Sequence, residues 1–181
     1  NDNILIINDT QNKYEGLDDK AASKVKEYLN KIKLHDLETS FTINTWANKV
    51  IIDYMIMNNI EVKQVVAISS GASQKTYTGW GEYSISKAAL NMMIQVYAKE
   101  HPDIHFLSVS PGPVDTPMQD YIKKNIDGHK YKWKKKFSDM KKNNDLPKAS
   151  WVADNLHQIM PTLKRYESGS FLDLRNLQFL I

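Results

Sequence analysis

No cysteine occurs in the 181 residues of this chain. Disulfides and thiolate chemistry are thereby excluded, and the composition fits a reducing compartment, with the cytoplasm as the expected location. Glycine is scarce. There are seven, and the first, Gly16, stands alone. No G-x-x-x-G-x-G occurs, so the glycine-rich turn that seats a dinucleotide pyrophosphate on a helix N-terminus is not written in this sequence. Long hydrophobic runs are missing too. The longest apolar stretch, residues 50–57, is interrupted by Asp53 and is far shorter than the roughly 20 residues that cross a bilayer. The start lacks the basic region and apolar core of a signal peptide. Neither sign of charge dominates: 24 Lys and Arg against 21 Asp and Glu give +3, too little to argue for nucleic acid. The five histidines are scattered without metal-ligand spacing, and no metal is expected.

What is present is ordinary for a globular protein, with 41% hydrophobic and 25% charged residues. The length suits one domain over residues 1–181. Short β-branched or aliphatic runs at 4–7, 65–68, 104–109 and 171–174 read as buried strands. Helical periods fall at 17–34, 44–58, 83–99 and 149–163. In the second, Ala47, Val50, Ile51, Tyr54 and Met55 form the expected apolar face. In the third, apolar residues from Ile85 to Tyr97 cover much of the circumference, which predicts packing on the sheet and on a partner. Pro161 is expected to fray or kink the end of the fourth. Strands alternating with helices predict an α/β fold, a doubly wound parallel sheet with helices on both faces. Ligands bind such sheets at the carboxyl ends of the strands. Ser70 and Pro111-Gly112 both fall just past a strand.

The chemistry is concentrated in Tyr83-Ser84-Ile85-Ser86-Lys87, thirteen residues after Ser70 and upstream of Pro111-Gly112-Pro113-Val114-Asp115-Thr116. A tyrosine and a lysine four apart share one helix face. An ammonium beside a phenol stabilises the phenolate and lowers its pKa from about 10, which suits the phenol to proton exchange with a substrate oxygen. Y-x-x-x-K alone arises by chance as a surface pair. The serine before it and the Pro-Gly turn after it favour function.

VVAISSGAS at 65–73, GWGEYSISKAAL at 79–90 and SVSPGPVDTPMQ at 108–119 together resemble the short-chain dehydrogenase/reductase family. The tail from LPKASWVADNLHQIM to YESGSFLDLRN fits its last helix and strand, so about the last two-thirds of the chain is matched. Gly79-Trp80 and Glu167-Ser168-Gly169 are most similar to the sepiapterin reductase and benzil reductase branch. The resemblance implies a Rossmann-like fold and an NAD(P)H-dependent oxidoreductase that reduces a carbonyl, with NADP the preferred cofactor over NAD. It makes Tyr83 the general acid. Lys87 would tune Tyr83 and bind the nicotinamide ribose, and Ser70 would hold the carbonyl oxygen. Asn44 would position a water behind the lysine, although an asparagine there also reads as a helix-start cap. Tyr83 and Lys87 count among the cofactor contacts, together with Pro111, Gly112, Val114 and Thr116 of the turn. A small-molecule carbonyl compound is the implied substrate. The helices 44–58 and 83–99 are similar to the pair that forms the family's dimer interface, so a homodimer or homotetramer is expected.

The family opens with a strand and a glycine-rich turn, and its members run longer at the amino end. Only Asn8 of the stretch 4–10 coincides with the family's Asn-Asn-Ala-Gly, and its distance to Asn44 is longer than the family usually shows. The expectation is that the amino-terminal, cofactor-binding part of the fold is missing from this sequence. The alternative is a degenerate, non-catalytic member acting as a binding or scaffold protein. The lysines at 130, 132, 134–136, 141 and 142, interleaved with Tyr131 and Trp133, invite an RNA or anion reading. A charge run is more often a solvated face, and this one falls in the family's variable substrate lid, 119–144, so nucleic acid is disfavoured. Met92 and Met93 are expected to fill a core or an interface.

Overall fold

The computed structural model describes residues 4–7 and 28–177. Four strands, β1 (Ile4–Ile7), β2 (Gln64–Ile68), β3 (His105–Ser110) and β4 (Phe171–Asp173), form one sheet in the order β1-β2-β3-β4. Every pairing is parallel: Ile4 lies opposite Gln64, Gln64 opposite His105, and Ser108 opposite Phe171. A parallel pair requires a crossover, and helices supply each one. The expected alternation is thus present, and this sheet with helices on both faces is part of a Rossmann-like fold.

The helices are α1 (Leu34–Phe41), α2 (Ala47–Met57), α3 (Gly81–Glu100), α4 (Pro117–Asn125), α5 (Trp133–Lys142) and α6 (Ala149–Leu163). On one face of the sheet, Ile52 and Met55 of α2 and Leu90, Ile94 and Tyr97 of α3 close over Val65, Ala67 and Phe106. On the other, Leu156, Ile159, Met160 and Leu163 of α6 pack on Val66, Leu107, Val109 and Leu172. The strand side chains alternate between these two clusters, as the pleat requires. A third cluster, around Trp80, Ile122, Ile126 and Tyr131, sits beyond the carboxyl ends of the strands and holds α4 and α5 there.

Three local expectations are corrected. The helix expected over 17–34 lies partly outside the described residues. Its described end is a short 3₁₀ turn, Leu29–Lys31, between extended Tyr28 and Ile32. Leu29 and Ile32 dock instead on the head of α3, where a side chain on Gly81 would come within 2.9 Å of Leu29 Cδ1. The helix expected to start at Asn44 begins at Leu34, and a π-turn, Thr42–Trp46, joins α1 to α2. Asn44 is therefore inside a helical run rather than a cap at its start. The extra residue of a π-turn shifts the phase of the side chains. Within α2, Val50, Ile51 and Tyr54 are exposed, at 67%, 38% and 62%, while Asn48, Ile52 and Met55, with Thr45 before them, face inward. Finally, the end of α6 does not fray at Pro161: the helix runs on to Leu163, the expected last residue, which is fully buried. Packing of that last turn outweighs the hydrogen bond that proline removes.

Candidate active site

Tyr83 stands in the first turn of α3, half-buried, and Lys87 follows one turn later at 1% exposure. A buried ammonium needs acceptors. Lys87 Nζ donates to the carbonyl of Ile68, the last residue of β2, at 3.1 Å and lies 5.9 Å from the Tyr83 ring centre. The helix face that carries the pair is thus tied to the strand that ends at Ser69-Ser70.

Ser70 is extended and caps the 3₁₀ turn Gly71–Ser73, with its Oγ accepting from the Ala72 N–H at 3.1 Å. That bond uses a lone pair, so the hydroxyl hydrogen remains to donate. Ser70 is also held through its neighbours. Ser69 Oγ donates to Asn91 Oδ1 at 2.6 Å, Asn91 Nδ2 donates to Ser73 Oγ at 2.8 Å, and Ser73 Oγ donates to the Ser70 carbonyl at 2.6 Å. Asn91 is 3% exposed and sits one turn beyond Lys87. Tyr83, Lys87 and Asn91 therefore form one line along α3, at a spacing of four.

Asn44 reaches the same helix indirectly. Its Nδ2 donates to Ser86 Oγ at 2.9 Å, and Ser86 Oγ donates to the carbonyl of Tyr83 at 2.9 Å. Thr45 Oγ1 donates to the Ser86 carbonyl at 2.9 Å, and the Asn44 carbonyl accepts from Asn48 Nδ2 at 3.1 Å. Asn44 and Thr45 turn inward because Ser86 of α3 receives them there, and Asn48 turns inward with its Nδ2 on the Asn44 carbonyl.

Pro111, Gly112, Val114 and Thr116 form the half-buried turn between β3 and α4. The Ser69 N–H donates to the Val109 carbonyl at 2.7 Å, which sets this turn beside the Ser70 turn. The far end is pinned where Asp115 N donates to the Pro147 carbonyl at 2.9 Å and the Asp115 carboxylate pairs with Lys141. Asp120 shares Lys141 at 3.2 Å. This pairing holds the Lys141 ammonium above its ordinary pKa, chiefly through the Asp115 hydrogen bond.

Aromatic rings wall the outer side of Tyr83. Trp80 packs edge-on against it at 5.5 Å between ring centres, and Tyr77, Trp133 and Phe137 lie 5.9, 5.1 and 6.0 Å from Trp80. Trp133 Nε1 donates to the Thr78 carbonyl at 2.7 Å, fastening α5 over this wall. Of the lysine run, Lys132, Lys135, Lys136 and Lys142 face outward, whereas Lys130 lies over the rings of Tyr28 and Tyr131.

Residue spacing along the chain singles out Tyr83, Lys87 and Ser70 as candidates. Asn91 was missed, although its place four residues after Lys87 is the signal that could have found it. Ser86 leaves no local signal.

The profile of the short chain dehydrogenases matches residues 10–127. Sepiapterin reductase of Bos taurus is 36% identical over 112 residues, covering 61% of this chain and 40% of that protein. Benzil reductase ((S)-benzoin forming) of Bacillus subtilis is 31% identical over 119 residues, covering 62% and 47%. Among solved structures, a short chain dehydrogenase/reductase from Saccharomyces cerevisiae superposes with a TM-score of 0.71 at 24% identity, over 85% of this chain and 62% of that one. The KRED1-Pglu enzyme gives 0.67 at 25% identity, over 80% and 62%. The chain spans less than half the length of these curated relatives.

Proposed function

The chain belongs to the short chain dehydrogenase family, and from that premise we propose that it reduces a carbonyl to an alcohol with NADPH, or with NADH in its place. One observation carries the reading: the line Tyr83, Lys87, Asn91 on α3 is hydrogen-bonded both to the end of β2 and to the turn that holds Ser70. This ties the elements that carry a phenol, an ammonium and a serine hydroxyl to one another at the carboxyl end of a parallel sheet, where such folds bind ligands, which supports the reading.

The donor set fits the nicotinamide-ribose end of a dinucleotide. Lys87 would hold the ribose, and Pro111, Gly112, Val114 and Thr116 would line the nicotinamide. When bound, the cofactor supplies the hydride. The protein supplies orientation and a proton. Ser70 donates its hydroxyl hydrogen to the carbonyl oxygen and polarises it. Tyr83 transfers its phenolic proton to that oxygen as charge develops there. Lys87, buried behind the phenol, steadies the phenolate that remains. Asn44 acts at one remove, through Ser86, on the turn that presents Tyr83.

The rings of Tyr77, Trp80, Trp133 and Phe137 favour a carbonyl that carries flat, apolar groups. Relatives named as reductases of sepiapterin and of benzil support that class. The exposed apolar residues of α2 and α3 support a homodimer or homotetramer. The test is Tyr83→Phe, which keeps the ring and deletes the proton. Turnover of benzil with NADPH is expected to fall below detection while the circular dichroism spectrum and melting temperature stay unchanged. Undiminished turnover in that variant would show that another group is the acid.

A further inference from the structure

Arg175 lies far from the residues that mark the site in sequence, yet its side chain crosses the site's rim. It starts in the short turn Leu174–Asn176 that follows β4. Its stem passes over the turn after β3: Gly112 has φ +79°, and a Cβ there would meet Arg175 Cδ at 2.8 Å and Nε at 3.0 Å. Its tip reaches the turn after β2, with Nη2 3.6 Å from the Cβ position of Gly71, next to Ser70. One side chain thus spans three consecutive strand ends and brings its guanidinium to Gly71, the residue that follows Ser70.

The guanidinium is fixed rather than trailing. Nε donates to Asp173 Oδ1 at 2.8 Å, and Nη2 pairs with Asp173 Oδ2. Asp173 also accepts from the Arg175 backbone N–H at 3.1 Å. This pairing holds the Asp173 carboxyl below its ordinary pKa, first through the Arg175 side-chain hydrogen bond, with Lys75 adding charge. Arg175 and Lys75 set two positive charges against one negative charge at this rim. The Arg175 side chain remains 47% exposed, so a bound molecule can reach it. Arginine carries five N–H donors in a rigid fork that matches a carboxylate. Asp173 takes the Nε edge, which leaves Nη1 turned from the pair.

We propose that Arg175 is a specificity-determining residue that receives a carboxylate next to the reacting carbonyl, so that the substrate class is an α-keto acid bearing an aromatic group. The inference rests on the reductase reading, which supplies the positions of Ser70 and Tyr83. The aromatic wall takes the ring, Ser70 and Tyr83 take the carbonyl, and Arg175 takes the carboxylate.

The experiment compares benzoylformate with its uncharged methyl ester in the full-length protein, wild type and Arg175→Met. A charge-assisted hydrogen bond is worth about 1.5–3 kcal/mol, so the preference for benzoylformate over the ester, as a ratio of kcat/KM, is expected to fall about 10- to 100-fold. Arg175→Lys, which keeps the charge and loses the fork, is expected to fall less, and it serves if the methionine variant does not fold. An unchanged ratio overturns the proposal. If neither compound is reduced by the wild type, the reductase reading fails separately. Arg175 is then judged by tryptophan quenching on titration with benzoylformate alone. Weaker binding in Arg175→Met supports it, and no binding by the wild type, or equal binding by both, overturns it.

Discussion

Asn91 bonds to Ser69 and Ser73 from the helix that also carries Tyr83 and Lys87. An asparagine with both ends of its amide used inside the protein fixes its neighbours, because either bond broken leaves a buried polar group unsatisfied. It therefore acts on Ser70 as a positioning residue. Small errors in the placement of a reacting group cost about 10- to 100-fold in rate, and Asn91→Ala is expected to lose kcat on that scale. The informative comparison is the double variant: Ser70→Ala with Asn91→Ala should be no slower than Ser70→Ala alone. Losses that multiply would mean that Asn91 works elsewhere. Asp53 offers a pH-dependent counterpart on the outer side of α2. Hydrogen bonds from Lys49 first, then Tyr97, hold its carboxyl below the ordinary value. Burial, with the Asp53 bond second, raises the Tyr97 phenol. A depressed carboxyl stabilises the fold above its unfolded pKa of about 3.9 and loses that contribution as pH falls through the folded value. Asp53→Asn should lower the melting temperature at neutral pH, and the gap should close in acid. A gap independent of pH would assign the loss to packing instead.

At the scale of elements, α2 and α3 turn a broad apolar face outward. Val50, Tyr54 and Met57 are 67%, 62% and 79% exposed on α2, and Met92 and Val96 are 59% and 46% exposed on α3. Contiguous exposed apolar surface of this kind marks an interaction site. A second copy meeting the face through the same residues would bury it symmetrically. Val50→Glu with Met57→Glu should convert the assembly to monomers, read by sedimentation equilibrium, with little change in unfolding of the isolated chain. A wild type that stays monomeric at high concentration would contradict the proposed oligomer. The same helices show where sequence reading succeeds and fails. The outward spread of α3 was legible because Ile85, Met92 and Val96 leave no single polar face. The face of α2 is legible only in part: Met55 is buried as expected, while Val50, Ile51 and Tyr54 turn outward. Ile52 and Met55 share the inner face with Asn48 and, in the turn before α2, Thr45, two polar residues that look like surface residues until Ser86 and the Asn44 carbonyl are seen to receive them. A π-turn has no hydrophobic signature, so the phase shift it brings to α2 is invisible in a helical period.

Across the whole molecule, the parallel sheet and both of its packed faces follow from four short apolar runs and the helices between them, because strands buried on both sides need little else. The Tyr83–Lys87 pair was legible because it is local, and Ser70 because one turn of fixed length separates it from the helix. Arg175 was not: it meets the site only through the register of β3 with β4, 63 residues after Gly112 in the sequence. The lysine-rich segment reads the same way. Its lysines are visible as a run, but only the fold shows that Trp133 and Phe137 between them wall the site. What joins these parts is the claim that the strand ends, Lys87 and the Pro111–Gly112 turn receive a nicotinamide dinucleotide. The direct measurement is a fluorescence titration of the full-length protein with NADPH and with NADH. Saturable binding is expected, tighter for NADPH, and it weakens when Lys87 is replaced by Met. No binding of either nucleotide would contradict it and leave the fold as a binding or scaffold protein.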